Sequence, residues 1–215
     1  NAMENPTLAP YAKEGEVELR ITAKAADETA ARALIAPVED ELRADLGPLV
    51  YGADVTSLEE VVLPLLKERS LTLGTAESCT GGLIAKRLTD LPGASAVFRG
   101  GVVSYTNEVK RRVLGVSQEM LDQFGAVSPE VARAMAEGAL RVLGCDIAVA
   151  ATGVAGPDPD DRGNPVGLVY VSLAASDGVW VRTLKLGSDR ELVRTAASSY
   201  ALDMVRRYLT GLPVA

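Results

Sequence analysis

Apolar and polar residues follow two rhythms along this chain. Where they alternate singly, as in VELRITAK at 17–24, the spacing predicts a half-buried strand. Where apolar residues recur every three or four positions, it predicts a helix with one buried face. Asp27 opens such a stretch, with Ala31, Leu34, Ile35, Val38, Leu42 and Leu46 on one side. Pro37 falls inside it and predicts a kink or a break, because proline removes a backbone donor and clashes with the preceding turn. Gly47-Pro48 closes the helix, 49–51 reads as a short second strand, and 52–56 as a linker.

The same reading continues to the C-terminus. Ser57 and Glu60 have capping-box spacing ahead of Leu58, Val61, Val62, Leu65 and Leu66, with Pro64 in mid-helix. LTLGT (71–75) predicts a buried strand, LIAKRLTDL (83–91) a helix, and FRGGVVSY (98–105) a strand. Short helices follow at 107–114 and 117–124. Ser128-Pro129-Glu130 combines an N-cap, a proline at the first helical position and an acid in the first turn, opening a helix to Leu143. DIAVAAT (146–152) is apolar enough for a strand buried on both faces, and a glycine- and proline-rich loop spans 153–165. VGLVYVSLAA and VWVRTLKL flank Asp177-Gly178, a hairpin signal, and Ser188 with Glu191 caps a last helix. Interleaved strands and helices with one antiparallel hairpin predict a three-layer α/β domain with a mixed sheet over 57–215, preceded by a small unit at 1–56.

Charge separates the two units. Residues 1–56 hold 5 Lys/Arg against 11 Asp/Glu, the remainder 17 against 18, within a net charge of −7. An acidic N-terminal unit lacks the basic face of a nucleic-acid module, so no nucleic-acid partner is expected. No apolar run approaches a membrane span, and no signal peptide opens the chain, where Asn1-Ala2 ahead of Met3 reads as a cloning remnant. Two cysteines without a secretory pattern place the protein in a reducing, cytoplasmic compartment.

Four segments hold candidate chemistry. Ser78-Cys79-Thr80-Gly81-Gly82 sits between a strand and a helix, where hydroxyls, a thiol and backbone N–H groups face the positive end of a helix. It reads as a nucleophile elbow or an anion cradle, and equally as a helix cap. With no histidine in the chain, a Ser-His-Asp triad is excluded, and the bases left are Lys, Tyr, Asp and Glu. GGVVSYTNEVK (100–110) supplies Tyr105 and Lys110. Arg111 and Arg112 beside Lys110 predict a lysine pushed towards neutrality by like charge, although the trio can also bind phosphate or form a solvated face. ATGVAGPDPDDRGNPVG (151–167) offers Thr152, Gly153 and Gly156 as an anion nest. Its Asp158, Asp160 and Asp161 fit a solvated loop better than a metal site, so neither metal nor cofactor is expected. Arg190 and Arg194 stand at a helix start within reach of a phosphate. Cys79 is the rival nucleophile, disfavoured because no histidine can pair with it; Cys145 reads as core.

These segments, with AVSPEVARAMAEG (126–138), NPVGLVYVSL (164–173) and SDRELVR (188–194), resemble the C-terminal domain of the CinA family, the nicotinamide-nucleotide amidase domain. Residues 6–52 resemble the KH-like α+β domain of that family. The resemblance implies hydrolysis of nicotinamide mononucleotide to nicotinic acid mononucleotide and ammonia, without metal or cofactor. It implies Ser78 as nucleophile, Lys110 as general base and Tyr105 beside it. Thr80, Gly81, Gly82, Thr152, Gly153, Gly156 and one of Arg190 and Arg194 are the expected substrate contacts. It further implies a small phosphorylated nucleotide as partner and a homo-oligomer. The chain departs from the family pattern at Asp158-Pro159-Asp160-Asp161, where glycines are usual, at Asn164, where lysine is, and in having no GXXG loop in its KH-like part. A catalytically silent nucleotide-binding module and a nucleic-acid-associated protein are the competing expectations.

Overall fold

The computed structural model describes residues 4–13, 15–187 and 189–215 of the 215. The chain divides into two compact units, Asn1–Ala53 and Asp54–Ala215. The first is a hairpin of β1 (Thr7–Lys13) and β2 (Glu16–Thr22), paired antiparallel from Thr7↔Thr22 to Lys13↔Glu16, followed by α1 (Glu28–Leu46). β1 has no counterpart in the hydrophobic pattern because nearly all of it is exposed, so it lacks the alternation that marks a half-buried strand; Pro10 suits such an edge. Asp27 caps α1 by accepting from the Ala30 N–H at 2.8 Å. The helix runs through Pro37 without a break, since one missing N–H removes only one of its many backbone bonds. The strand expected at 49–51 is absent: Gly47–Leu49 is a 3-10 turn with Pro48 in it, and Tyr51 is held instead by its hydroxyl, which donates to Glu16 at 2.6 Å.

The second unit opens with α2 (Glu59–Glu68). Its cap differs from the expected Ser57–Glu60 box. Glu60 accepts from the backbone N–H and the hydroxyl of Thr56, one residue earlier, at 2.9 and 2.7 Å. The order that follows is β3 (Leu73–Glu77), α3 (Leu83–Thr89), β4 (Phe98–Val103), α4 (Asn107–Arg112), α5 (Gln118–Phe124), α6 (Pro129–Leu143), β5 (Ile147–Gly153), β6 (Leu168–Ala175), β7 (Gly178–Lys185) and α7 (Arg190–Thr210). Ser117 and Ser128 cap α5 and α6. Asp189 caps α7, accepting from the Leu192 N–H at 2.9 Å, whereas the Ser188 expected in that role lies outside the described residues.

The sheet is mixed, in the order β4-β3-β5-β6-β7. β3 pairs parallel with both β4 and β5; β5–β6 and β6–β7 are antiparallel. α6 packs on one face through Val131, Met135, Ala136 and Ala139, all fully buried, and α7 with α2 and α3 lies on the other. This is the three-layer α/β arrangement. Alanines in β5 and α6 bring helix and sheet close, so the core fills without large side chains. The chain leaves β3 for β4 on one side and later places β5 on the other. The carboxyl ends of β3 and β5 therefore flank a point where the winding reverses, which is where open α/β sheets form their crevices.

Candidate active site

Ser78 is the first residue beyond β3, and its N–H donates to the Ala151 carbonyl at 2.9 Å, continuing the β3–β5 ladder. Ser104 does the same beyond β4, donating to the Glu77 carbonyl at 2.8 Å. The chain then turns at Thr106, which caps α4, and α4 carries Lys110 back under the sheet end. Lys110 is 1% exposed. Its Nζ donates to Ser78 Oγ at 2.8 Å and to the Ser104 carbonyl at 2.7 Å. Among the described residues it forms no ion pair.

Burial without a counter-ion disfavours the ammonium, and the Lys110 pKa falls from 10.5 to about 8. The cause is desolvation. The repulsion expected from Arg111 and Arg112 is not the source, because both are exposed and Arg112 pairs with Glu108 at 3.0 Å. A neutral amine has two N–H groups and one lone pair. With one N–H on the Ser104 carbonyl, the lone pair can face the Ser78 hydroxyl. Burial pushes the Cys79 thiol up to about 12, so it stays protonated, which disfavours the rival nucleophile. Cys145 is also buried and unpaired.

The turn after Ser78 is built on Glu77, a residue to which the sequence pattern assigns no role. Its carboxylate, 1% exposed, accepts from the N–H groups of Gly82 (3.0 Å), Ile84 (3.0 Å) and Ala85 (2.9 Å). It fills the N-terminus of α3 from inside the protein. The anion cradle expected there is thereby occupied, and the Gly81 N–H is also taken, donating to the Ser78 carbonyl at 3.1 Å. Gly81 and Gly82 serve the turn by adopting φ +61° and +97°, which other residues reach only with strain. An acid ending a buried strand and followed by a helix was the available signal for Glu77.

A cavity of about 290 Å³ opens over Ser78 and Lys110. Of the residues singled out beforehand, Ser78, Lys110, Tyr105, Thr152, Gly153, Gly156 and Arg190 line it. Thr80, Gly81, Gly82 and Arg194 do not. Thr80 is fully buried, and the Arg194 guanidinium donates to the Thr80 carbonyl at 2.9 Å. Thr152 directs its hydroxyl hydrogen at the Ala126 carbonyl, 2.7 Å away. Arg190 donates to the Gly156 carbonyl at 2.5 Å and to the Tyr105 hydroxyl at 3.2 Å. Asn107, Val127, Asp158 and Asp160 also face the cavity and were not singled out as contacts. Asp160 folds the 153–165 loop upon itself, accepting from the N–H groups of Arg162 and Asn164 and from the Asn164 amide. Among the described residues, no group of three or more His, Cys, Asp and Glu is placed to hold a metal ion.

The sequence pattern of the CinA C-terminal domain matches residues 55–209, and that of the damage-inducible protein CinA KH domain matches residues 1–52. The chain belongs to the CinA family. A CinA-like protein of Desulfovibrio desulfuricans is 53% identical over 98% of this chain and 50% of its own length. A putative competence-damage inducible protein of Symbiobacterium thermophilum is 51% identical over 96% and 51%. The chain thus spans about half the length of these CinA relatives. Among solved structures, the competence/damage inducible protein CihA from Agrobacterium tumefaciens superposes with a TM-score of 0.67 at 41% identity, covering 74% of this chain and 99% of that one. A CinA superfamily protein from Klebsiella pneumoniae gives 0.69 at 32% identity, covering 73% and 99%. No helix among the described residues is long and apolar enough to cross a membrane.

Proposed function

We propose that this CinA protein is an amidohydrolase that releases ammonia from nicotinamide mononucleotide, with Ser78 as nucleophile and Lys110 as its base. The observation behind the reading is the buried 2.8 Å contact between Lys110 Nζ and Ser78 Oγ, beside a cavity wide enough for a small ligand. Ser78 Oγ attacks the carboxamide carbon while Lys110 takes the hydroxyl proton. Lys110 returns that proton to the amide nitrogen, the C–N bond breaks, and ammonia leaves an ester on Ser78. Water, deprotonated by the same amine, cleaves the ester and frees nicotinic acid mononucleotide and the serine.

The amides of Ala155 and Gly156 are the candidates for meeting the developing oxyanion. They lie on the cavity wall and donate to no other group among the described residues. Such a donor is worth about 3 kcal/mol in the transition state. Of the two arginines, Arg190 is the one placed to meet the nucleotide phosphate. The whole reaction runs on side chains and backbone, so turnover is expected to survive a chelator.

Ammonia release from nicotinamide mononucleotide tests the reading. Ser78→Ala is expected to lower kcat by at least about 10³-fold while the circular dichroism spectrum is retained. Binding of the nucleotide without ammonia release from the wild type would overturn the amidase and leave a nucleotide-binding module.

A further inference from the structure

Most polar side chains that line the cavity are already committed. Lys110 holds Ser78 and the Ser104 carbonyl, Thr152 the Ala126 carbonyl, and Arg190 the Gly156 carbonyl and the Tyr105 hydroxyl. Asp160 is taken by its own loop. Asn107 differs: it faces the cavity, and its side-chain amide forms no hydrogen bond among the described residues. It is the first residue of α4, three before Lys110, so the two share one face of that helix. Glu108, the next residue, is exposed and pairs with Arg112 at 3.0 Å. Asp158 also has an uncommitted carboxylate, but it belongs to the loop beyond β5, on the other side of Ser78.

The sheet order decides which end of a carboxamide Asn107 meets. β3, which Ser78 follows, lies between β4 and β5. The loop after β5 brings Ala155 and Gly156 to one side of Ser78, and the segment after β4 brings Asn107 and Lys110 to the other. A carbonyl oxygen directed at the Ala155 and Gly156 amides leaves the amide nitrogen towards α4, where Lys110 has to deliver its proton. That nitrogen carries two N–H donors, and its lone pair becomes available only once the carbon is tetrahedral. An acceptor that holds one N–H fixes the rotation about the C–N bond and turns the emerging lone pair to Lys110. The Ser104 carbonyl is already bonded to Lys110, whereas Asn107 Oδ1 is an acceptor on that side without a partner among the described residues. We infer that Asn107 recognises the leaving nitrogen of a primary carboxamide by accepting one of its N–H groups, and thereby selects amides over esters. The inference rests on the amidase reading for the pose of the carboxamide.

The test compares nicotinamide mononucleotide with the methyl ester of nicotinic acid mononucleotide, which keeps ring, ribose and phosphate but has no N–H on its leaving group. Asn107→Ala is expected to lower kcat/KM for the amide about tenfold and to leave that for the ester within about twofold, the scale of one hydrogen bond made by one substrate and not the other. Asn107→Asp keeps an acceptor and gives up the donor. It is expected to bring amide turnover to within about threefold of wild type on the pH plateau, with the midpoint moved to higher pH by a negative charge beside Lys110. Amide and ester rates that fall together, an aspartate variant as slow as the alanine one, or no loss in either variant would each overturn the assignment. A wild type that releases no ammonia sinks the amidase reading, and equilibrium binding to Ser78→Ala then decides for Asn107. Binding of the amide about three- to tenfold tighter than the ester, a preference lost in Ser78→Ala/Asn107→Ala, keeps the recognition. Equal binding of the two ligands, binding of neither, or a preference that survives Asn107→Ala sinks it.

Discussion

Lys110 is the residue whose environment has the clearest chemical consequence. Its ammonium is disfavoured in the folded protein, so the neutral base becomes abundant near pH 8 instead of near 10.5. The amidase rate, kcat/KM, is therefore expected to rise through about pH 8 and level off above it, as a base of that pKa must first lose its proton. Stability follows from the same shift. The unfolded chain binds the Lys110 proton more tightly than the folded one, so stability rises with pH between about 8 and 10.5. Below pH 8 the penalty of the buried charge is present in full. Replacing the group by an isosteric apolar one removes that penalty, so the stability of Lys110→Met relative to wild type should be greater at pH 7 than at pH 10, by about 3 kcal/mol at one pKa unit per 1.4 kcal/mol. Urea denaturation at the two pH values measures it. A difference independent of pH would mean that Lys110 is not the group that titrates.

Among the elements, the 153–165 loop decides the shape of the cavity, since Gly153, Val154, Ala155, Gly156, Asp158 and Asp160 all line it. Two arginine side chains brace the loop. Arg190 holds the Gly156 carbonyl, and Arg162 reaches to the C-terminal end of α5, where its guanidinium donates to the carbonyls of Leu121, Asp122 and Gln123. Those carbonyls are orphaned at a helix C-terminus, and a cation there also meets the negative end of the helix dipole. Gly125 leaves room for this arm: a Cβ on it would fall 2.7 Å from Arg162 Cδ. Arg162→Ala is expected to raise KM for nicotinamide mononucleotide about three- to tenfold, at about 1.4 kcal/mol per tenfold, with kcat changed less than twofold. Steady-state kinetics separates the two constants. A fall in kcat with KM unchanged would mean that the arm shapes the chemistry and not the cavity wall.

At the scale of the whole molecule the two units differ in how much core they own. Among the described residues with buried hydrophobic side chains, Val38 is the one that belongs to Asn1–Ala53; the others lie in Asp54–Ala215. A unit so poor in buried apolar surface is hard to stabilise by itself. The larger unit has a complete three-layer core, and solved relatives of which 97–99% matches this chain cover only 72–75% of it. The fragment 54–215 is accordingly expected to unfold in one cooperative thermal transition and to release ammonia at a rate within about threefold of the full chain. The fragment 1–53 is expected to show no such transition by calorimetry. A larger unit that aggregates or loses its transition when cut at 54 would contradict this division of the core.

Periodicity, caps and turn residues were enough for the element order of the larger unit, the mixed sheet and the hairpin at Gly178, because these depend on neighbours a few residues apart. The absence of histidine excluded a triad, and the segments around Ser78, Lys110 and Thr152, which the structure brings to one cavity, were legible as candidates because small, polar and glycine residues interrupt apolar strands there. Exposed β1 left no pattern to read, and of the kink or break that Pro37 marked, the break does not occur. The contact between Ser78 and Lys110 spans 32 residues and exists only because β3 and β4 lie side by side. The lowered pKa of Lys110 likewise comes from burial beneath the sheet end and not from its charged neighbours in sequence. That Arg190 lines the cavity while Arg194 turns to the Thr80 carbonyl, and that Glu77 caps α3, follows from distances in the closed fold. Local spacing encodes which backbone conformation a segment prefers. Desolvation and long-range hydrogen bonds depend on what the rest of the chain packs around it, and that is decided only by tertiary structure.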